Sequence, residues 1–121
     1  MYVKKLNDCD EFIAGDNSIL RELLHPDKAD LKIRYSLAYA IVPAGQKTTP
    51  HKLRTSEVYY ILNGEGLMHI NQESFNVTPQ CAIYIPPGSA QFIENTGNTQ
   101  LEFLCIVDPA WQESDESVLG R

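Results

Sequence analysis

The stretch from Gly45 to Gly64, GQKTTPHKLRTSEVYYILNG, decides how this chain is read. Pro43-Ala44-Gly45 makes a turn at its start, and Asn63-Gly64-Glu65-Gly66 makes another at its end. Glu57–Leu62, between them, is rich in β-branched and aromatic residues and reads as a strand. Asn and Gly tolerate positive φ, so the closing turn predicts a hairpin whose second strand is Leu67–Asn71. His51 and Glu57 are the residues of this stretch that could carry chemistry.

Working outward, the same grammar repeats. Upstream, Ile33–Val42 alternates, with Ile33, Tyr35, Leu37, Tyr39 and Ile41 expected on one face. Ser18–Leu24 has apolar residues at helical spacing but is short and closed by Pro26, so helix and strand fit it equally. Downstream, a turn at Asn71–Glu73 leads to Ser74–Val77, and Cys81–Ile85 stops at Pro86-Pro87-Gly88. Gln91–Glu94 and Gln100–Val107 flank the turn Asn95-Thr96-Gly97-Asn98, and Asp108-Pro109 ends the last strand. Short strands between regular turns predict an all-β sandwich or barrel rather than βαβ units. No linker, repeat or low-complexity tract divides the chain, so residues 1–121 are expected to form one domain. Residues 1–30 would form an N-terminal arm with its strands, and 112–121 an acidic tail loose at its end.

Composition narrows the function classes. The net charge of -6 argues against nucleic acid and anionic membrane surfaces, both of which want basic faces. No run approaches the roughly 18 apolar residues of a membrane helix. Two lysines in Met1–Leu6 have no apolar stretch behind them, which reads as no secretory leader. The three cysteines, Cys9, Cys81 and Cys105, are odd in number and lack CxxC spacing, which predicts free thiols and a cytoplasmic setting.

The Gly45–Gly64 stretch resembles the first motif of the cupins, which runs Gly, five residues, His-x-His, three or four residues, Glu, six residues, Gly. Gly45, His51, Glu57 and Gly64 match it, and Leu53 stands where the second His belongs. Gln80–Asn95, QCAIYIPPGSAQFIEN, resembles the second motif: Gly, five residues, Pro-x-Gly, two residues, His, three residues, Asn. Pro86, Gly88 and Asn95 match, Gln80 stands at the opening Gly, and Gln91 stands at the third His. The resemblance implies a single cupin barrel, a jelly-roll-like double-stranded β-helix, with motif 1 at 45–64 and motif 2 at 80–95.

In that family the ligand positions hold a divalent metal inside the barrel. The resemblance therefore implies a metal set of His51, Glu57 and Gln91, with Leu53 as an apolar wall. The residues themselves leave an alternative open, because His51 can hydrogen-bond Glu57 and Gln91 in a satisfied polar cluster without a metal. Tyr35, Tyr39, Tyr59 and Tyr84 are further candidates for lining a ligand site, with Leu53 beside them, or else are core residues with satisfied hydroxyls. His69 is expected to point outward, and His25, before Pro26, to lie exposed in a turn. Lys52 and Arg54 should face away from His51, while Lys47, in a loop, could reach an anion on a substrate.

Two functions follow as expectations. One is a weak divalent-metal-dependent isomerase or lyase acting on a small polar, sugar-like or carboxylate compound. The other is a metal-free cupin that binds such a small molecule as a sensor. Neither needs a nucleotide or flavin cofactor. The resemblance also implies a homodimer, formed through an edge strand and the N-terminal arm.

Overall fold

The structure, a computed structural model, describes residues Met1–Leu119. The last two residues of the predicted acidic tail, Gly120 and Arg121, lie outside the described residues. Eleven strands run β1 (Glu11–Ile13), β2 (Ile19–Leu24), β3 (Ser36–Val42), β4 (His51–Leu53), β5 (Ser56–Asn63), β6 (Gly66–Ile70), β7 (Glu73–Val77), β8 (Ala82–Ile85), β9 (Gln91–Asn95), β10 (Leu101–Asp108) and β11 (Glu116–Val118). They form a six-stranded sheet, β1-β2-β3-β10-β5-β8, and a five-stranded sheet, β11-β4-β9-β6-β7. Every pairing among them is antiparallel. The all-β, jelly-roll expectation is met, and the ambiguous stretch at residues 18–24 is strand β2.

The period of two along each strand sorts residues between the gap separating the sheets and the outside. On β5, Glu57, Tyr59 and Ile61 are buried, while Tyr60 and Leu62 are exposed. On β9, Gln91, Ile93 and Asn95 are buried. On β10 it is Leu101, Phe103, Cys105 and Val107. The gap is filled unevenly. Val42, Ile61, Met68, Val77, Ile85, Ile93 and Leu101 plug it with apolar side chains. Toward the other end of the same strands the inward positions are Ser36, Ala38, Glu57, Cys105 and Val107, and there a cavity opens.

Strand β3 corrects one expectation. Its inward positions are Ser36, Ala38, Ala40 and Val42, so the apolar set Leu37, Tyr39 and Ile41 lies on the outer face of the sheet. Tyr39 is buried there under its neighbours, and its hydroxyl donates to Glu102 of β10. Tyr35 precedes the strand and is exposed. Within the tail, β11 pairs with β4, setting Glu116 opposite Leu53 and Val118 opposite His51.

The motif glycines and their stand-in act through backbone conformation. Gly64 has φ +89°, and a Cβ on it would lie 2.6 Å from the carbonyl oxygen of Gln100. Gln80, where the motif has glycine, keeps the left-handed backbone at φ +74°, with its N–H bonded to the Ile61 carbonyl at 2.8 Å. A side chain costs about 1 kcal/mol in that region. Gln80→Gly is therefore expected to raise unfolding stability in urea by up to about 1 kcal/mol. Gly64→Ala is expected to lower it by more than that, because strain and overlap add.

Candidate functional site

The cavity has a volume of about 370 Å³ and is walled by both sheets and by the two ends of the chain. Strand β4 supplies His51 and Leu53, β5 supplies Glu57 and Tyr59, and β10 supplies Phe103, Cys105 and Val107. The order of β4 follows from the loop before it. Thr48 exchanges two 2.9 Å hydrogen bonds with the backbone of Ile93, one from its N–H and one to its hydroxyl oxygen. Pro50 then leads into a strand where His51 and Leu53 turn inward and Lys52 turns out.

His51 is 3% exposed. Its Nδ1 lies 2.9 Å from the Thr49 carbonyl, an atom that can only accept, so Nδ1 carries a proton and Nε2 is left for the cavity. Nε2 is 3.8 Å from Oδ2 of Asp16. Asp16 sits in the turn joining β1 to β2, where Asn17 has φ +71°. The N–H and hydroxyl of Ser18 donate to Asp16 Oδ1 at 3.0 and 2.6 Å, which leaves Oδ2 facing His51.

Gln91 joins the two sheets. It lies beside His51 in the register of β4 and β9. Its Nε2 donates to Glu57 Oε1 at 3.1 Å, and its Oε1 accepts from the Tyr59 hydroxyl at 3.2 Å. Tyr59 is fixed in turn against the Phe103 ring, with centroids 4.5 Å apart. No other hydrogen bond among the described residues reaches the Glu57 carboxyl. Burial pushes its carboxyl up to about 8; the Gln91 bond opposes this, and the nearby charges of Asp16 and Glu116 add to it. At neutral pH Glu57 is therefore mostly a carboxylic acid whose second oxygen faces the cavity. The same burial, reinforced by Glu57 and Asp16, pushes the Cys105 thiol up and keeps it in its unreactive form.

Of the residues singled out in the sequence, His51, Glu57, Gln91, Tyr59 and Leu53 come together. Tyr35, Tyr39 and Tyr84 do not line the cavity: Tyr35 precedes β3 and is exposed, the parity of β3 puts Tyr39 outside, and Tyr84 is exposed on β8. Lys47 lies over the Phe92 ring on the outer face of the smaller sheet, and cannot meet a ligand here. His69 stacks on Phe92 with Nε2 3.5 Å from Glu94, on that outer face as expected. His25 is not exposed: its Nε2 bonds the Trp111 carbonyl at 2.7 Å and its Nδ1 accepts from the Asp27 N–H. The sequence reading missed Asp16, Trp111 and Glu116. The indole N–H of Trp111 donates to Glu116 Oε2 at 3.0 Å, and Glu116 Oε1 lies so near Gly15 that a Cβ there would be 2.9 Å away. The only trace of this in the sequence is the alternation of Glu116 and Val118 in a tail that otherwise looks polar.

The chain matches the cupin domain over residues 38–107. It belongs to the cupin family. An uncharacterised protein of Methanocaldococcus jannaschii is 48% identical over 109 residues, spanning 89% of this cupin and 86% of the relative. An oxalate-binding protein of Thermotoga maritima is 38% identical over 88 residues, spanning 72% and 68%. Among solved structures, a predicted oxalate decarboxylase of Thermotoga maritima superposes with a TM-score of 0.77 at 28% identity, covering 89% of this chain and 99% of that one. No helix among the described residues is long and apolar enough to cross a membrane.

Cupins often bind a metal, and the chemistry of this donor set does not fit one. Gln91 puts a neutral amide, already engaged with Tyr59 and Glu57, where the family has an imidazole. Leu53 supplies no donor atom at the second histidine position. No group of three or more His, Cys, Asp or Glu able to hold an ion occurs among the described residues.

The raised value of Glu57 fixes the sign of a pH effect. Folding takes up a proton between the ordinary carboxyl value of 4.5 and about 8. Stability is therefore fully present below 4.5 and is lost as pH rises through 8. Glu57→Gln keeps an acceptor for Gln91 but cannot ionise. The expected outcome in urea unfolding is near-equal stability of the two proteins at pH 5 and a variant more stable by a few kcal/mol at pH 9.

Proposed function

We propose that this cupin binds a small polar organic molecule in the barrel mouth without a resident metal. The observation that carries this reading is the Tyr59–Gln91–Glu57 chain of hydrogen bonds, which engages the amide at the third histidine position, beside a Leu53 that offers no donor at the second. A cavity of about 370 Å³, apolar on much of its wall and with a few convergent polar groups, suits a compound of that kind. His51 Nε2 and the free oxygen of Glu57 would orient it, with Tyr59 and Leu53 shaping the wall.

A second reading favours catalysis. In one cavity His51 presents a nitrogen that in its neutral form is a base, and Glu57 presents an acid. That pair supports proton transfer of the isomerase or lyase kind without a metal. Mass analysis of the ligand after incubation separates the readings: an unchanged ligand means binding alone, and an isomer or elimination product means turnover that Glu57→Gln should abolish.

The homodimer belongs to the same proposal. Tyr60, Leu62 and Tyr84 are exposed on one outer face of the larger sheet, apolar surface that a second copy could cover. Light scattering should return twice the 13.6 kDa chain mass.

The metal question has its own test. Untagged protein is expected to contain no stoichiometric metal by elemental analysis, and millimolar zinc or manganese should leave its melting temperature unchanged. The double variant Leu53→His, Gln91→His restores two imidazoles and should gain a melting shift with the same ions. Stoichiometric metal in the wild type would overturn the metal-free reading.

A further inference from the structure

The charge around the cavity names a ligand class more narrowly. The ionisable side chains that line it are Asp16, Glu22, Glu57, Glu113 and Glu116, with His51, Tyr59 and Cys105. No lysine or arginine is among them in the described residues. Glu22 is the member with a cationic partner, Lys28 at 2.5 Å, at the rim. Among the described residues neither Asp16 nor Glu116 pairs with a lysine or arginine: Ser18 holds one and Trp111 the other, by neutral donors, with the His51 imidazole 3.8 Å from Asp16. An anion entering this space would lose its water and meet carboxylates, whereas a cation would find acceptors waiting.

Two deeply buried groups show that the space is built for an occupant rather than merely acidic. Glu57, 6% exposed, keeps one carboxyl oxygen without a hydrogen bond among the described residues, and it faces the cavity. His51, 3% exposed, has its cavity-side nitrogen at 3.8 Å from the nearest acceptor, beyond hydrogen-bond range. The wall between these polar points is Phe12, Leu53, Phe103, Trp111 and Val118. Aromatic faces and aliphatic side chains suit the carbon body of a cation. The volume is far larger than a bare ion needs, and no three-ligand group exists to hold one.

We propose that the ligand of this pocket is a small organic ammonium ion, a protonated amine whose charge sits between Asp16 and Glu116 and whose carbon body packs against Trp111 and Phe12. The inference rests on the metal-free binding reading and narrows it. The residues that set the charge, Asp16, Glu113 and Glu116, all lie outside the family match at residues 38–107, so this preference belongs to the two ends of the chain and not to the shared barrel.

The experiment is a calorimetric and melting comparison on the full chain in EDTA, with benzylamine and putrescine as cationic probes, xylose as a neutral one and oxalate as an anionic one. At least one amine should bind and raise the melting temperature, and oxalate should do neither. Glu116→Gln keeps an acceptor for Trp111 and should weaken amine binding about tenfold with little change in the melting temperature of the free protein. Asp16→Asn, which can still accept from Ser18, serves as the second variant if the first folds poorly. Binding of xylose or oxalate with no amine bound would overturn the ammonium proposal and leave the metal-free pocket standing. Binding of any probe only after zinc or manganese replaces EDTA would overturn both. Amine binding indifferent to both variants would also overturn the proposal, since the charge would then be met elsewhere.

Discussion

The amide of Gln91 ties the two sheets together at the floor of the cavity, and most of the site's behaviour depends on it. Its N–H donates to Glu57 and its oxygen accepts from Tyr59, both on the facing sheet. An imidazole at that position could serve a metal. An amide, which both donates and accepts, is better matched to a carboxylic acid and a phenol. Once the amide is paired at both ends, Glu57 has a partner for one oxygen only, and burial keeps its proton on. The other oxygen is turned to the cavity along with His51 Nε2. With Leu53 at the second histidine position and an amide at the third, the strands keep their places while the inward groups favour hydrogen bonding.

The rest of the pocket comes from the chain ends. The N–H of Thr49 bonds the Asp16 carbonyl at 2.7 Å, that of Arg54 the Asp115 carbonyl at 3.0 Å, and that of Leu119 the Pro50 carbonyl at 2.8 Å. These three bonds hold the β1–β2 turn and the C-terminal segment against the loop and strand that carry His51. The barrel supplies the buried acid, the imidazole and the phenol, and the ends supply Asp16, Trp111 and Glu116. Ligand preference can therefore differ between relatives that share the barrel, and the oxalate named for the Thermotoga maritima relative does not carry over to this chain by similarity alone.

The sequence made the barrel legible because turns write themselves in residue type. Gly45, Gly64 and Gly88 all have positive φ, and each could be read from the motif spacing before any coordinate was known. The set His51, Glu57 and Gln91 was legible through the resemblance to the two cupin motifs, whose ligand positions these residues occupy. Tyr39 was not, because β3 is a central strand with apolar residues on both faces, and its inward face is lined by the small residues Ser36, Ala38 and Ala40. When both faces are partly covered, alternation cannot tell inside from outside. His25 and Glu116 were illegible for a different reason. Their partners are Trp111, 86 residues away in sequence from His25, and strand β4, which is joined to β11 only in the folded chain.

The account turns on the state of one carboxyl group. Carbon-13 NMR of the Glu57 side chain, in protein labelled at glutamate carboxyls and assigned with Glu57→Gln, follows that group directly as pH is varied. A carboxyl that stays protonated through neutrality and titrates near 8, unmoved by added zinc, is the predicted result. A Glu57 carboxylate already ionised at pH 6, or one that shifts stoichiometrically with zinc, would contradict it.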